Sequence, residues 1–307
     1  MWLADGLRRG AGMDADTVLS SYPRSLSPSR ANDFLTCPLL FRYRSIDRLP
    51  EPGSPAALRG TLVHSALETV FDLPPEDRTV GSATELLREA WTDMAEQEPA
   101  AAAVLLAELG LAVDSDPDAV ASAVLQPALP LLETYFRMED PRRLEPHARE
   151  LGLRVGIRDD FDLRGFIDRV DRAPNGDIRI VDYKTGRSPK AGYESKAMFQ
   201  MRFYALAWWR MTGTVPKLLQ LIYLGSEDML RYAPSEDDLV ATERKVLAVR
   251  EAINRAAIAA DFTPTPSKLC GWCAHQAVCP AFGGTPPALP DPVLWPTASR
   301  ADEDAAS

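Results

Sequence analysis

Residues 165–189 read GFIDRVDRAPNGDIRIVDYKTGRSP, and this stretch decides the fold. Apolar and polar residues alternate on both sides of Asn175-Gly176, a dipeptide that strongly favours a hairpin turn. Each half reads as a strand, and the two as an antiparallel pair. Asp168 closes the apolar run of the first strand and Asp182 that of the second. Pairing therefore brings both carboxylates to the same end of the sheet. Side chains two apart on a strand share a face, so Lys184 stands beside Asp182.

Two carboxylates at one place repel unless a cation joins them. Hard oxygen ligands suit Mg2+ or Mn2+. Lys184 is placed to orient a water or to stabilise charge developing on a phosphate. A metal, a water and a lysine are the requirements for hydrolysing a phosphodiester. The competing reading of the same residues is a surface Asp182–Lys184 ion pair beside an ordinary hairpin aspartate.

The pattern extends outward. From about residue 145 the alternation, with a turn signal at Asp159-Asp160, gives a further strand and makes three antiparallel strands. A helix is predicted over 194–211, then a buried strand in LLQLIYLG, a short edge strand in DMLRYAP and a helix over 235–260. Towards the N-terminus, Ser27 is a plausible N-cap and Pro28 fits the first helical position, opening a helix that stops near Cys37-Pro38. A second helix starts near Ala56 and carries RGTLVHSALETVF. Residues 82–140 are rich in Ala and Leu with helical spacing, broken by DSDPDA, and read as two or three helices.

At 307 residues the chain can bury a full core, and 25% charged against 46% hydrophobic residues is an ordinary globular balance. No apolar run reaches the roughly 18 residues of a membrane span. The first residues lack the apolar core of a signal peptide, so a cytoplasmic protein is expected. A net charge of −10 argues against a general nucleic-acid binder. Residues 142–210, however, hold 15 Lys and Arg against 10 Asp and Glu. Local basicity steers phosphates more than the total does.

The segment GFIDRVD…IRIVDYKTG resembles the core motif of the PD-(D/E)XK nucleases, in particular the RecB-type exonuclease branch. Asp168 matches the first acidic residue, and Asp182-Tyr183-Lys184 the (D/E)XK element. The branch carries a histidine on an upstream helix, matched by His64, and a QxxxY motif, matched by Gln200 and Tyr204. The resemblance spans about residues 25–280. It implies an α/β, restriction-endonuclease-like mixed sheet flanked by helices. It further implies Mg2+ or Mn2+ held by His64, Asp168 and Asp182, with Lys184, Gln200 and Tyr204 completing the catalytic set. Glu68, four residues after His64 on one helix face, reads as an outer neighbour of the site or a plain surface residue. Arg187 and Lys190 are candidates for phosphate contact, or simply solvated loop residues.

All the cysteines are Cys37, Cys270, Cys273 and Cys279. Four thiolates in a cytosolic protein suit zinc or an iron–sulfur cluster, and spacing alone leaves the two close. One distant cysteine plus a clustered trio is the arrangement of the iron–sulfur members of this branch, so the resemblance implies a [4Fe–4S] cluster. Such a site would clip residues more than 230 positions apart, where a cross-link restrains the unfolded chain most.

The expected organisation is a disordered 1–24, one nuclease domain over 25–282 with a helical insertion at 75–140 and a cysteine module at 268–282, and a disordered 283–307. The expected activity is metal-dependent exonucleolytic cleavage of DNA, single-stranded or at ends, in repair or recombination. A helicase or another repair or CRISPR protein would be the partner, since GxxxxGK[ST] is absent. The rivals are a catalytically silent DNA-binding subunit, which the intact Asp168, Asp182 and Lys184 argue against, and an iron–sulfur redox protein. A radical enzyme of the latter class would show CxxxCxxC, which is also absent.

Overall fold

A computed structural model describes residues 24–111, 116–158, 161–190 and 195–290. The Asp159-Asp160 turn, nearly all of the expected disordered N-terminus, and residues 291–307 of the expected tail lie outside the described residues.

Helix α1 (Pro28–Thr36) begins as predicted, with the Ser27 side chain accepting from the Arg30 amide. Helix α2 (Pro55–Thr69) is capped in the same way by Ser54. Four helices follow where two or three were expected: α3 (Val80–Gln97), α4 (Pro99–Leu109), α5 (Pro117–Leu125) and α6 (Leu129–Met138). Proline explains the extra break. Pro99 and Pro117 each lack an amide hydrogen and sit in the first turn, so each starts a new helix and cannot continue an old one.

Strands β1 (Pro146–Arg158), β2 (Phe161–Arg172) and β3 (Ile178–Lys184) form the expected antiparallel ladder. The β2–β3 turn is wider than two residues. The Ala173 amide donates to the Asp177 carbonyl (2.9 Å), and Gly176 supplies φ +88°. Helix α7 (Ser195–Thr212) returns the chain so that β4 (Leu218–Tyr223) pairs parallel to β3. Strand β5 (Asp228–Tyr232) closes the edge antiparallel to β4. Helix α8 (Glu236–Ile258) and three short 3-10 turns end the described chain.

The chain divides into two compact units, 1–50 with 246–307, and 51–245. In the larger, α2 to α6 bury their apolar faces with Val181 and Tyr183 of β3 and Ile222 of β4. Side chains alternate along β3, so Asp182 points to the opposite face, where α7 packs with Phe199, Phe203, Tyr204 and Leu206 buried. In the smaller unit, the buried Tyr43 hydroxyl donates to the Val278 carbonyl (2.8 Å), and the Tyr43 ring meets the His275 ring edge-on. Arg42 donates to the Pro287 carbonyl, and Gly283–Pro290 has no helix or strand. Among the described residues no helix is long and apolar enough to cross a membrane.

Gly225 shows how tightly β4 ends against the loop after β3. A Cβ there would lie 2.6 Å from the Thr185 carbonyl oxygen and 2.8 Å from that of Gly186. Gly225→Ala should destabilise the protein by about 1–3 kcal/mol in urea unfolding. Gly186→Ala, where a Cβ would meet nothing within 4 Å, should stay within about 0.5 kcal/mol of the parent.

Candidate active site

Strand β3 delivers Asp182 and Lys184 to one face, as their spacing requires. The Lys184 ammonium lies 2.7 Å from Asp182 Oδ2. That oxygen is buried, and the contact lacks hydrogen-bond geometry, so Oδ2 has no hydrogen-bond donor. Asp182 Oδ1 accepts from the Gln200 side-chain amide (3.0 Å), and Gln200 Oε1 accepts from Lys184 (3.2 Å). The same Gln200 amide nitrogen is 3.1 Å from the Tyr204 hydroxyl oxygen. The i, i+4 pair of α7 thus faces Asp182 and Lys184. Burial raises the Tyr204 hydroxyl pKa above the ordinary tyrosine value.

From β2, Asp168 Oδ2 accepts from the Tyr183 amide (2.7 Å) and lies 3.5 Å from His64 Nδ1. Burial, followed by the charge of Asp182, pushes the Asp168 carboxyl well above the usual range. Burial also lowers the His64 pKa, so the imidazole is neutral at neutral pH. Its Nε2 lies 3.1 Å from the Tyr183 carbonyl oxygen. A carbonyl only accepts, so this network assigns the ring proton to Nε2. The Nδ1 lone pair then faces a carboxylate oxygen. Two acceptors so placed need a proton or a cation between them.

The residue the sequence did not disclose is Glu150. On β1 the pairs Arg149↔Arg169 and Leu151↔Ile167 put it opposite Asp168. Its ligand oxygen, that of Asp168 and a ring nitrogen of His64 all lie within 4.8 Å of one another. Its backbone has φ +40°, a left-handed value that a non-glycine residue adopts at a cost of about 1–2 kcal/mol. Burial, then the charges of Glu68 and Asp182, push its carboxyl up to about 7. The neighbouring Arg149 donates to the Glu68 carbonyl and to Asp72 (2.6 Å each), tying β1 to the end of α2. Counting back from a turn at 159–160, with Arg158 opposite Phe161, would have placed the apolar Leu151 opposite Asp168. The irregularity between Gly156 and Arg158 shifts the register by one residue and brings Glu150 there instead.

A cleft of about 730 Å³ opens over these groups, lined by His64, Glu68, Glu150, Lys184, Thr185 and Gly186. Burial raises the Glu68 carboxyl pKa as well. Arg187 and Lys190 are exposed beyond the end of β3. Of the residues singled out from sequence, His64, Asp168, Asp182, Lys184, Gln200 and Tyr204 therefore meet in one place. Asp182 stands outside the trio of His64, Glu150 and Asp168, engaged by Gln200 and Lys184.

The four cysteines meet in the other unit, around an apolar cavity of about 50 Å³. Cys37 follows α1, Cys270 lies in the turn Lys268–Trp272, Cys273 ends that turn, and Cys279 ends the next one. Cys37 Sγ accepts from the Thr265 amide and Cys270 Sγ from the Ser267 amide. No cysteine is in a disulfide.

The family profile of the PD-(D/E)XK nuclease superfamily matches residues 25–280. The chain belongs to this superfamily. The match includes residues of both compact units and takes in every candidate site residue named above. The "Gene 69 protein" of Mycobacterium phage L5 is 36% identical over 139 residues, which is 44% of this chain and 45% of that protein. The chain thus spans less than half the length of this curated relative. The crystal structure of a "Putative exonuclease" from Eubacterium rectale superposes with a TM-score of 0.51 at 14% identity, covering 89% of this chain and 94% of that one. This likeness is one of fold, and the mixed sheet with flanking helices is what the two share.

The crowded carboxyls have a consequence for stability. A carboxyl whose pKa is raised on folding favours the folded state fully below its unfolded value, and loses that contribution as pH rises through its folded value. For Glu150 the window runs from the ordinary glutamate value of 4.5 to about 7. In EDTA, the Tm should fall across this window, and Glu150→Gln should flatten the slope. Thermal melts of both proteins at stepped pH will show it; parallel curves would remove Glu150 from the coupling.

Proposed function

We propose that the protein is a metal-dependent deoxyribonuclease that hydrolyses phosphodiester bonds in the cleft over β3. The observation that carries the reading is the neutral His64 imidazole whose Nδ1 faces the Asp168 carboxylate, with Glu150 beside both. One nitrogen and two carboxylates, with the buried Asp182 carboxylate nearby, fit Mg2+ or Mn2+. Glu150, Asp168 and His64 would hold the ion, with Asp182 close behind. When bound, the ion would polarise a phosphate oxygen and lower the pKa of a water.

The chain's own residues do the rest. Lys184 carries its ammonium to the cleft wall, where it stabilises negative charge developing on the phosphate and orients the attacking water. The water oxygen bonds to phosphorus, the bond to the leaving sugar oxygen breaks, and a proton passes from the water to the departing oxygen. Gln200 holds Asp182 and Lys184 in a fixed relation, and the Tyr204 hydroxyl braces its amide from one turn further along the helix. Attack on single-stranded DNA or at DNA ends, a place in repair or recombination, a cytoplasmic setting and a helicase or another repair or CRISPR protein as partner are the setting that the family resemblance supports.

For the cysteine site we propose a [4Fe–4S] cluster acting as a staple. The support for this reading is the gathering of one distant cysteine and a clustered trio around one apolar cavity, the arrangement that the family resemblance associates with such a cluster. The amide hydrogens aimed at two of the sulfurs suit ligating thiolates. Anaerobically purified protein should contain iron in excess of zinc by metal analysis. Cys270→Ala should lose iron and thermal stability together. A variant that loses iron and melts like the parent would overturn the staple.

The activity test uses end-labelled single- and double-stranded DNA with Mn2+, Mg2+ or EDTA. Wild type should degrade DNA only with metal, and Asp182→Ala and Lys184→Ala should each lose about 100-fold or more. Equal products from wild type and both variants would reject the nuclease reading.

A further inference from the structure

Antiparallel pairing of β2 with β3 runs through Arg172↔Ile178, Asp171↔Arg179, Val170↔Ile180 and Arg169↔Val181, and stops there. One residue further on, the two strands part. Their junction is a side chain: the Asp168 carboxylate takes the Tyr183 amide, and the Tyr183 carbonyl goes to His64. The main chain of Tyr183 is therefore the meeting point of His64 and Asp168, and it lies between Asp182 and Lys184. Whatever holds it holds the whole site.

Behind the sheet, the Tyr183 side chain is held by Arg169, the residue after Asp168. Arg169 is 1% exposed and is the largest fully buried side chain. Its guanidinium donates to the hydroxyls of Tyr183 and Tyr135 and to Glu139 (2.7 Å), and pairs with Asp171 (3.0 Å). It also lies over the Phe71 ring, 5.6 Å from the centroid. One buried group thus ties the end of α2, the end of α6, β2 and β3 together. Arg179 pairs with both Asp171 and Glu139, so two cations meet two anions. Buried ion networks of this kind add little stability compared with apolar packing. Stability alone gives a poor reason for an arginine in this core.

We infer that Arg169 and Tyr183 are positioning residues: their contact behind the sheet fixes the parted ends of β2 and β3, and with them the spacing of Asp168, His64 and Lys184. The inference rests on the nuclease reading for its effect on activity, though not for its effect on the metal-free protein.

Tyr183→Phe removes the hydroxyl and keeps the ring. Tyr135→Phe removes another hydroxyl from the same cluster, keeps the edge-on ring contact with Tyr183 and leaves the hydrogen bond from Arg169 to Tyr183 in place. In metal-free protein, hydrogen exchange of the amide at position 183 should speed up about 10-fold or more in Tyr183→Phe and change little in Tyr135→Phe. Mn2+ affinity by calorimetry should fall about 10-fold in the first and stay near wild type in the second. In the cleavage assay kcat should fall while KM for DNA holds. Equal loss in both variants, or a lowered Tm with amide protection and Mn2+ affinity unchanged, would overturn the inference. Wild type that binds no Mn2+ and cleaves nothing would overturn the nuclease reading instead, while the metal-free exchange rates still decide the positioning role.

Discussion

Carboxylates held where they repel are the constraint on which the larger unit depends. Asp168, Asp182 and Glu150 converge at the end of β3, where burial first and the neighbouring negative charges second push the Asp168 and Glu150 carboxyls up. Such crowding destabilises a metal-free fold. It persists because each group is anchored by something stiffer than the repulsion. Asp168 is bound to a main-chain amide, Asp182 to a glutamine on a packed helix, and Glu150 sits in a ladder tied by Arg149 to α2. The scaffold holds these groups together without a cation, and the proposed metal ion would relieve the charge.

The two faces of β3 divide the labour. Val181 and Tyr183 face the helical core, and Asp182 and Lys184 face α7. Tyr183 belongs to both, because its ring lies in the core while its amide and carbonyl reach Asp168 and His64. A perturbation in the helical layer therefore has a short covalent path to the site. The helices at 80–138, which no motif marks, matter through this path. Tyr135 of α6, Glu139 just after it and Phe71 after α2 all touch Arg169.

The cysteine site follows a different logic. Its residues come from chain positions far apart, so the proposed cluster would close a loop containing all of the larger unit. Tyr43 and His275 are buried polar groups of the same unit, each with a partner. A cross-link over so long a loop would restrain the unfolded chain strongly.

The sequence by itself determined the strands at 165–184, the common face of Asp182 and Lys184, and the i, i+4 face of Gln200 and Tyr204. Each follows from local periodicity, which a chain cannot change without losing its hydrogen-bond ladder. Motif order carried His64 and the cysteines as well, through the family resemblance. Tertiary structure decided the rest. Glu150 joins the site only through the register between β1 and β2, and a shift of one residue would turn it away. The parallel partner of β3, the parting of strands at Asp168, and the grip of Arg169 behind them depend on contacts between residues distant in sequence. No local pattern encodes those contacts, because they are selected by the packing of whole elements.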